Sequence, residues 1–199
     1  MKFSTLALSA SLLALPLSPA LAYTVQIYDA SPMTTLAQAS AAIADNSKLV
    51  STTQAAFIEF DDLQDGTRGL FSVNNAFPIA SPETFAAHVF GQFYIDTAGT
   101  WTFGINHDDG ARLMIDGVVV ATAEGVADNR TTTYTSNFAA GIHTVDIVYF
   151  ENGGGASLEF FGRSGTAPYQ LIQSVPEPGS LALVGLALLG AGLARRKLA

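Results

Sequence analysis

The chain has 199 residues, with 9 Lys+Arg against 17 Asp+Glu and no cysteine. A net charge of −8 argues against nucleic acid and anionic lipid as partners. The lack of cysteine excludes disulfide staples, thiol catalysis, Fe–S clusters and Cys-type zinc sites.

Residues Met1–Ala22 carry Lys2, then a Leu/Ala-rich apolar stretch, then Ala20-Leu21-Ala22 as a small-x-small cleavage site. This pattern predicts a secretory signal peptide, residues 1–22, and a mature start at Tyr23. Pro16 and Pro19 oppose the alternative of an internal helix. With a C-terminal segment from Val175 set aside (see below), residues 23–174 form one domain's worth of chain. That stretch has 5 basic and 16 acidic residues, a net charge of −11.

Tyr23–Asp29 alternates, Val25 and Ile27 against Thr24, Gln26 and Tyr28, and predicts an opening strand. Ser31 as N-cap, Pro32 at the first helical position and apolar residues from Met33 to Ala44 predict a short amphipathic helix over Met33–Asn46. Thr53–Phe60 is a second strand candidate. Asp61–Pro82, with Asp65-Gly66 and Asn74-Asn75, is turn-rich and reads as a surface loop. From Phe85 onward the pattern is all-β. Val89, Phe93 and Ile95 share a face, as do Trp101, Phe103 and Ile105, and Leu113 and Ile115. Asp116-Gly117 predicts a hairpin turn into Val118–Thr122, and Thr131–Phe138, Thr144–Phe150 and Ser157–Phe161 complete the strands. Many short strands with Gly/Asp turns and no βα alternation predict an all-β antiparallel sandwich or barrel with one short N-terminal helix.

The segments Gly91–Ile95, Gly99–Gly117 (Gly-Thr-Trp-Thr-Phe…His-Asp-Asp-Gly-Ala-Arg-Leu-Met-Ile-Asp-Gly), Ala140–Glu151 and Gly153–Leu158 resemble the PA14 domain. The likeness spans Phe85–Phe161 well and the earlier part weakly. It implies a PA14-like antiparallel β-sandwich, a fold found in bacterial toxins, glycosidases and yeast adhesins.

Asp108 and Asp109 are the main candidates for chemistry. Adjacent carboxylates in a turn repel each other unless a cation is present, and Ca²⁺ takes roughly 6–8 hard oxygen ligands. In the adhesin branch of the family, two adjacent Asp residues joined by a cis peptide hold a calcium that contacts sugar. The resemblance therefore implies Ca²⁺ at Asp108 and Asp109, with Asn152 of Glu151-Asn152-Gly153 supplying an amide oxygen. The alternative is that Asp108-Asp109-Gly110 is an ordinary structural turn. His88, His107 and His143 form no close pair in sequence and read as surface or edge histidines. Trp101, alternating with Phe103 and Ile105, reads as core rather than as a sugar platform. Gly153-Gly154-Gly155 reads as a permissive turn, Asp116-Gly117 as a turn only, and Asp61-Asp62 as an acidic pair without a motif. No nucleophile or metalloprotease signature is present, so no catalytic residue is assigned.

Val175-Pro176-Glu177-Pro178-Gly179 is followed by the uncharged run Ser180–Ala194 and by Arg195-Arg196-Lys197. Pro176 and Pro178 force any helix to start after them, and the run is shorter than the ~20 residues of a comfortable membrane span. The basic end fits retention on the cytoplasmic side. Residues Val175–Lys197 resemble the PEP-CTERM protein-sorting signal of Gram-negative bacteria, rather than an ordinary membrane anchor. That resemblance implies a sorting segment over 175–199 with a C-terminal hydrophobic helix and an exosortase-like membrane protease as partner. It also implies transient inner-membrane anchoring, then release to the cell surface or the exopolysaccharide matrix. The expected function is that of an exported, non-catalytic protein touching glycan. A ligand-free structural matrix protein and an accessory module of a polysaccharide-processing enzyme are the alternatives.

Overall fold

The computed structural model describes residues 22–61, 69–71, 75–79 and 83–175. The predicted signal peptide up to residue 21, most of the Asp61–Pro82 loop and the sorting segment from Pro176 onward lie outside the described residues.

Eleven strands and one helix are described. They are β1 (Tyr23–Asp29), α1 (Leu36–Ala44), β2 (Leu49–Ala55), β3 (Glu59–Asp61), β4 (Phe85–Ile95), β5 (Gly99–His107), β6 (Gly110–Ile115), β7 (Val118–Ala123), β8 (Arg130–Phe138), β9 (Gly141–Glu151), β10 (Ser157–Ser164) and β11 (Gln170–Leu171). Two antiparallel sheets form the sandwich. One runs β2-β1-β4-β9-β6-β7, the other β11-β10-β5-β8, with β3 paired to β10. The all-β antiparallel expectation holds.

Alternation explains the layers. Val25 and Ile27 of β1, Val89, Phe93 and Ile95 of β4, and Val145, Ile147 and Tyr149 of β9 point inward from the first sheet. They meet Trp101, Phe103 and Ile105 of β5 and Leu158 and Phe160 of β10. Phe93, Phe103 and Phe160 contact one another with centroids 5.2–6.1 Å apart. Trp101 lies parallel to Phe103 at 5.6 Å and is 7 % exposed.

Helix α1 covers part of the outer face of the first sheet. Leu36, Ala39 and Ala42 sit with Met33 against Tyr28, Ala86, Val148 and Phe150. The helix start differs from the expectation. Thr35, not Ser31, is the N-cap: its hydroxyl accepts the Gln38 N–H, and the Gln38 side chain accepts the Thr35 N–H. This reciprocal capping box satisfies two free N–H groups at once, which Pro32 cannot do. The strand expected at Thr53–Phe60 is instead two. β2 starts earlier as a half-exposed edge, and a bend at Ala56 and Phe57 separates it from buried β3. The Asp61–Pro82 stretch is not purely a surface loop. Phe77 is 4 % exposed and stacks on Tyr149 at 5.7 Å, and Asn75 bridges Phe60.

Candidate metal centre

β5 belongs to one sheet and β6 to the other, so Asp108-Asp109 is the point where the chain crosses between them at one end of the sandwich. Asp109 takes φ 63°, a conformation Asp tolerates better than most residues, and the bond between the two aspartates is trans. The cis bond implied by the adhesin resemblance is therefore not observed. What holds Asp109 instead is a ring of hydrogen bonds. Its N–H donates to the Ala127 carbonyl at 3.1 Å, and its Oδ1 accepts the Ala127 N–H at 3.0 Å. Its Oδ2 accepts the Asn152 N–H at 2.7 Å. Asp109 is 3 % exposed; Asp108 is half-buried and its N–H donates to the Ser157 carbonyl at 3.1 Å.

Gly110 completes the Asp-Asp-Gly triplet for a packing reason. A Cβ there would overlap the Phe150 ring of the neighbouring strand.

The pairing of β6 with β9 also brings in a residue that the sequence reading left out of the site. Glu151 ends β9 fully buried, and one carboxylate oxygen each from Asp108, Asp109 and Glu151 lie within 4.8 Å of one another. Glu151 Oε2 accepts the Tyr149 hydroxyl at 3.1 Å and Oε1 accepts the Gly153 N–H at 2.8 Å. Burial, followed by the charge of Asp109, pushes the Glu151 carboxyl up to about 8. The Gly153 N–H and Tyr149 hydroxyl only partly offset this, and Asp108 adds to the rise. The signal in sequence was an acid closing a continuous buried run, Ile147–Phe150, where an apolar residue would be ordinary.

Asn152, a predicted ligand, is brought to the same corner through its backbone bond to Asp109, and its Oδ1 is buried with no hydrogen-bond partner. A buried acceptor left unpaired is uncommon and calls for a donor or a cation. The four side chains offer oxygen only, which suits a hard divalent ion. A cation would also offset the burial and the Asp109 charge that together raise the Glu151 pKa.

The histidines depart from expectation. His107 is fully buried and His143 is 8 % exposed, so neither is a surface residue. The His107 Nδ1–H donates to the Asp109 carbonyl at 2.7 Å, and Nε2 lies 3.0 Å from the Thr132 hydroxyl. Burial is the main cause holding its pKa below the usual histidine value. It braces the Asp109 backbone from behind. His143 and His88 are elsewhere, bonded to Asp116 at 2.6 Å and Asp146 at 2.8 Å. Asp116 and Gly117, both at positive φ, form the predicted turn, and Asp116 Oδ1 also accepts the Thr144 N–H at 2.9 Å.

A family profile described as "PA14 domain" matches residues 64–169, and one described as "PEP-CTERM protein-sorting motif" matches residues 174–197. No curated protein matches the chain. Among solved structures, the PA14 sugar-binding domain from an RTX adhesin is similar at 22 % identity and TM-score 0.59, covering 78 % of this chain and 98 % of that one. The PA14 domain of the antifreeze protein MpAFP is similar at 19 % identity and TM-score 0.62, covering 83 % and 96 %. The epithelial adhesin 6 A domain from Candida glabrata, solved with Galb1-3GlcNAc, is similar at 14 % identity and TM-score 0.52, covering 80 % and 86 %. At these identities the likeness is one of fold.

Proposed function

Since the chain belongs to the PA14 domain family and carries a PEP-CTERM sorting motif, we propose that it is an exported, non-catalytic protein of the cell surface or exopolysaccharide matrix that contacts glycan through bound Ca²⁺. Residues 23–174 are the working domain, and the segment from Val175 is the sorting signal. Its partner in processing is an exosortase-like membrane protease that reads Pro176-Glu177-Pro178, with the hydrophobic run and Arg195-Arg196-Lys197 holding the chain in the inner membrane of a Gram-negative cell until then.

The observation that carries this reading is the convergence of one carboxylate oxygen each from Asp108, Asp109 and Glu151 within 4.8 Å, beside an Asn152 whose Oδ1 is buried and unpartnered. Asp108, Asp109, Glu151 and Asn152 would hold the ion. Bound there, Ca²⁺ supplies a Lewis-acidic point to which vicinal sugar hydroxyls bind. Asp109, fixed by two backbone N–H donors, sets the position of the ligand oxygens, and neutral His107 keeps the turn from shifting. Sugar binding by the RTX adhesin domain and the Galb1-3GlcNAc complex of the Candida glabrata adhesin support the choice of ligand class.

Retention of the chain on immobilised glycans with Ca²⁺, with EDTA, and after Glu151→Gln tests the reading. Binding present only with Ca²⁺ and lost in the variant supports it; Ca²⁺-independent or absent binding overturns it. A ligand-free matrix role is the second reading. It is favoured by one fact: both Asp109 oxygens already accept backbone N–H groups, so the residue also latches the fold.

A further inference from the structure

A cleft of about 700 Å³ opens at the other end of the sandwich, between the end of β4, the start of β5 and the C-terminal stretch after β11. It lies at the opposite end of β5 from Asp108-Asp109 and shares no residue with the carboxylate cluster. Its volume falls in the ~300–1,000 Å³ range of small-molecule sites. Phe57 and Tyr94 give it aromatic surface above the buried Trp101, and Asp96, Gln173 and Ser174 give it polar groups.

The chemistry of these groups is selective. The Trp101 Nε1–H is already given to the Thr97 carbonyl at 3.0 Å and its ring is stacked on Phe103, so Trp101 forms the buried base of the cleft and its exposed neighbours make the contact with ligand. Tyr94 is 56 % exposed. Ser174 is 1 % exposed, and its Oγ has no hydrogen-bond partner. Asp96 and Gln173 bring a carboxylate and an amide to the lining. Asp96 is the single charged side chain along the described lining. An anion is repelled by it, and a metal ion finds one carboxylate where it needs several. An apolar ligand would leave the polar groups unpaired. A sugar ring presents an apolar C–H face to aromatic surface and equatorial hydroxyls to carboxylate and amide groups, and it matches all of them at once.

We propose that this cleft is a metal-independent binding site for a neutral sugar ring of a glycan chain. It shares with the preceding reading only the class of ligand and stands if calcium is not bound.

Trp101 is the only tryptophan in the chain, so its emission reports on this cleft alone. The full chain, in a zwitterionic detergent without a sugar headgroup, is titrated with cellotriose, maltotriose and galactose, all in EDTA. The expected result is a saturable change in Trp101 emission with at least one of the three. It should be weakened at least tenfold by Tyr94→Ala and by Asp96→Ala, and unchanged when Ca²⁺ replaces EDTA. Tyr94 and Asp96 are exposed, and an unchanged melting temperature shows that both variants fold. No saturable change with any of the three sugars overturns the proposal. So does a change that survives both cleft variants. A signal that appears only when Ca²⁺ replaces EDTA overturns the independence from the carboxylate cluster.

Discussion

Asp109 and Asn152, 43 residues apart in sequence, are joined by a 2.7 Å hydrogen bond from the Asn152 N–H to Asp109 Oδ2. The bond ties the crossover between the two sheets to the end of β9, and so fixes where the carboxylates of Asp108, Asp109 and Glu151 meet. A cation at this corner binds the folded chain and has no such site in the unfolded one. Free Ca²⁺ at ~100 times its dissociation constant should therefore stabilise by about 2.7 kcal/mol, a rise in Tm of about 5–10 °C for a chain of this size. Thermal unfolding in EDTA and in Ca²⁺ reads this directly. Glu151→Gln is expected to fold and to abolish the rise, because the amide oxygen still accepts the Gly153 N–H and the amide NH2 donates to the Tyr149 oxygen, while the charge is removed. No Ca²⁺-specific rise in the wild-type chain would leave Asp108-Asp109 as a turn.

Glu151 also makes the metal-free chain sensitive to alkali. Its folded pKa of about 8 stands above the ordinary 4.5. Between those values the folded state holds a proton that the unfolded state has released. The associated stability is full below the unfolded value and is lost as pH rises through the folded one. In EDTA, Tm of the wild-type chain should drop relative to Glu151→Gln between about pH 5 and pH 8. A constant difference between the two chains across that range would show that Glu151 ionises normally.

Gly110→Ala should destabilise by about 1–3 kcal/mol, because the new methyl meets the Phe150 ring. Phe150→Leu alone loses packing against α1. The Gly110→Ala, Phe150→Leu double variant should therefore be more stable than the sum of the two single losses predicts. Additive losses in urea unfolding would show that the two positions do not touch.

Tyr23→Phe removes the hydroxyl that donates to the Ile172 carbonyl at 3.1 Å, a buried bond between the first strand and the C-terminal stretch. Leaving that carbonyl unpaired should cost about 1–3 kcal/mol. Amide exchange should speed up at Ser174 and Val175, whose N–H groups bond the Ala56 and Gln92 carbonyls, more than at β5 or β9. Equal acceleration everywhere would place the effect on global stability instead.

Replacing Pro176, Glu177 and Pro178 by alanine should leave the sandwich and its Tm unchanged while the chain accumulates in the membrane fraction of the producing cell. Normal surface delivery of this variant, measured by cell-surface labelling, would remove the role given to the motif.

The strands from Phe85 onward were legible because β4 and β5 alternate at Val89, Phe93 and Ile95 and at Trp101, Phe103 and Ile105, with Gly/Asp turns marking the ends of those that follow. The early chain was less so. Leu49 and Val50 are 37 % and 53 % exposed on an edge strand, so they carry no inward period to read. The capping box Thr35–Gln38 was written in the sequence, but Ser31-Pro32 offered a competing start. Half of the candidate centre was visible as adjacent aspartates. Glu151 was not, because the pairing of β6 with β9 places it there, and the local trace is only that an acid closes the apolar run Ile147–Phe150. His107 looked polar and exposed for a related reason: its burial comes from two partners, one of them 25 residues away.

The chain leaves the sandwich at the Trp101 end, where Val175 bonds Gln92 and the next residue is Pro176. The carboxylate corner sits at the far end of β5, a distance of ~30 Å at ~3.3 Å per residue over its nine residues. The two candidate sites therefore stand at opposite ends of the sandwich, the cleft beside the point where the chain leaves it and Asp108, Asp109 and Glu151 at the end farthest from that exit.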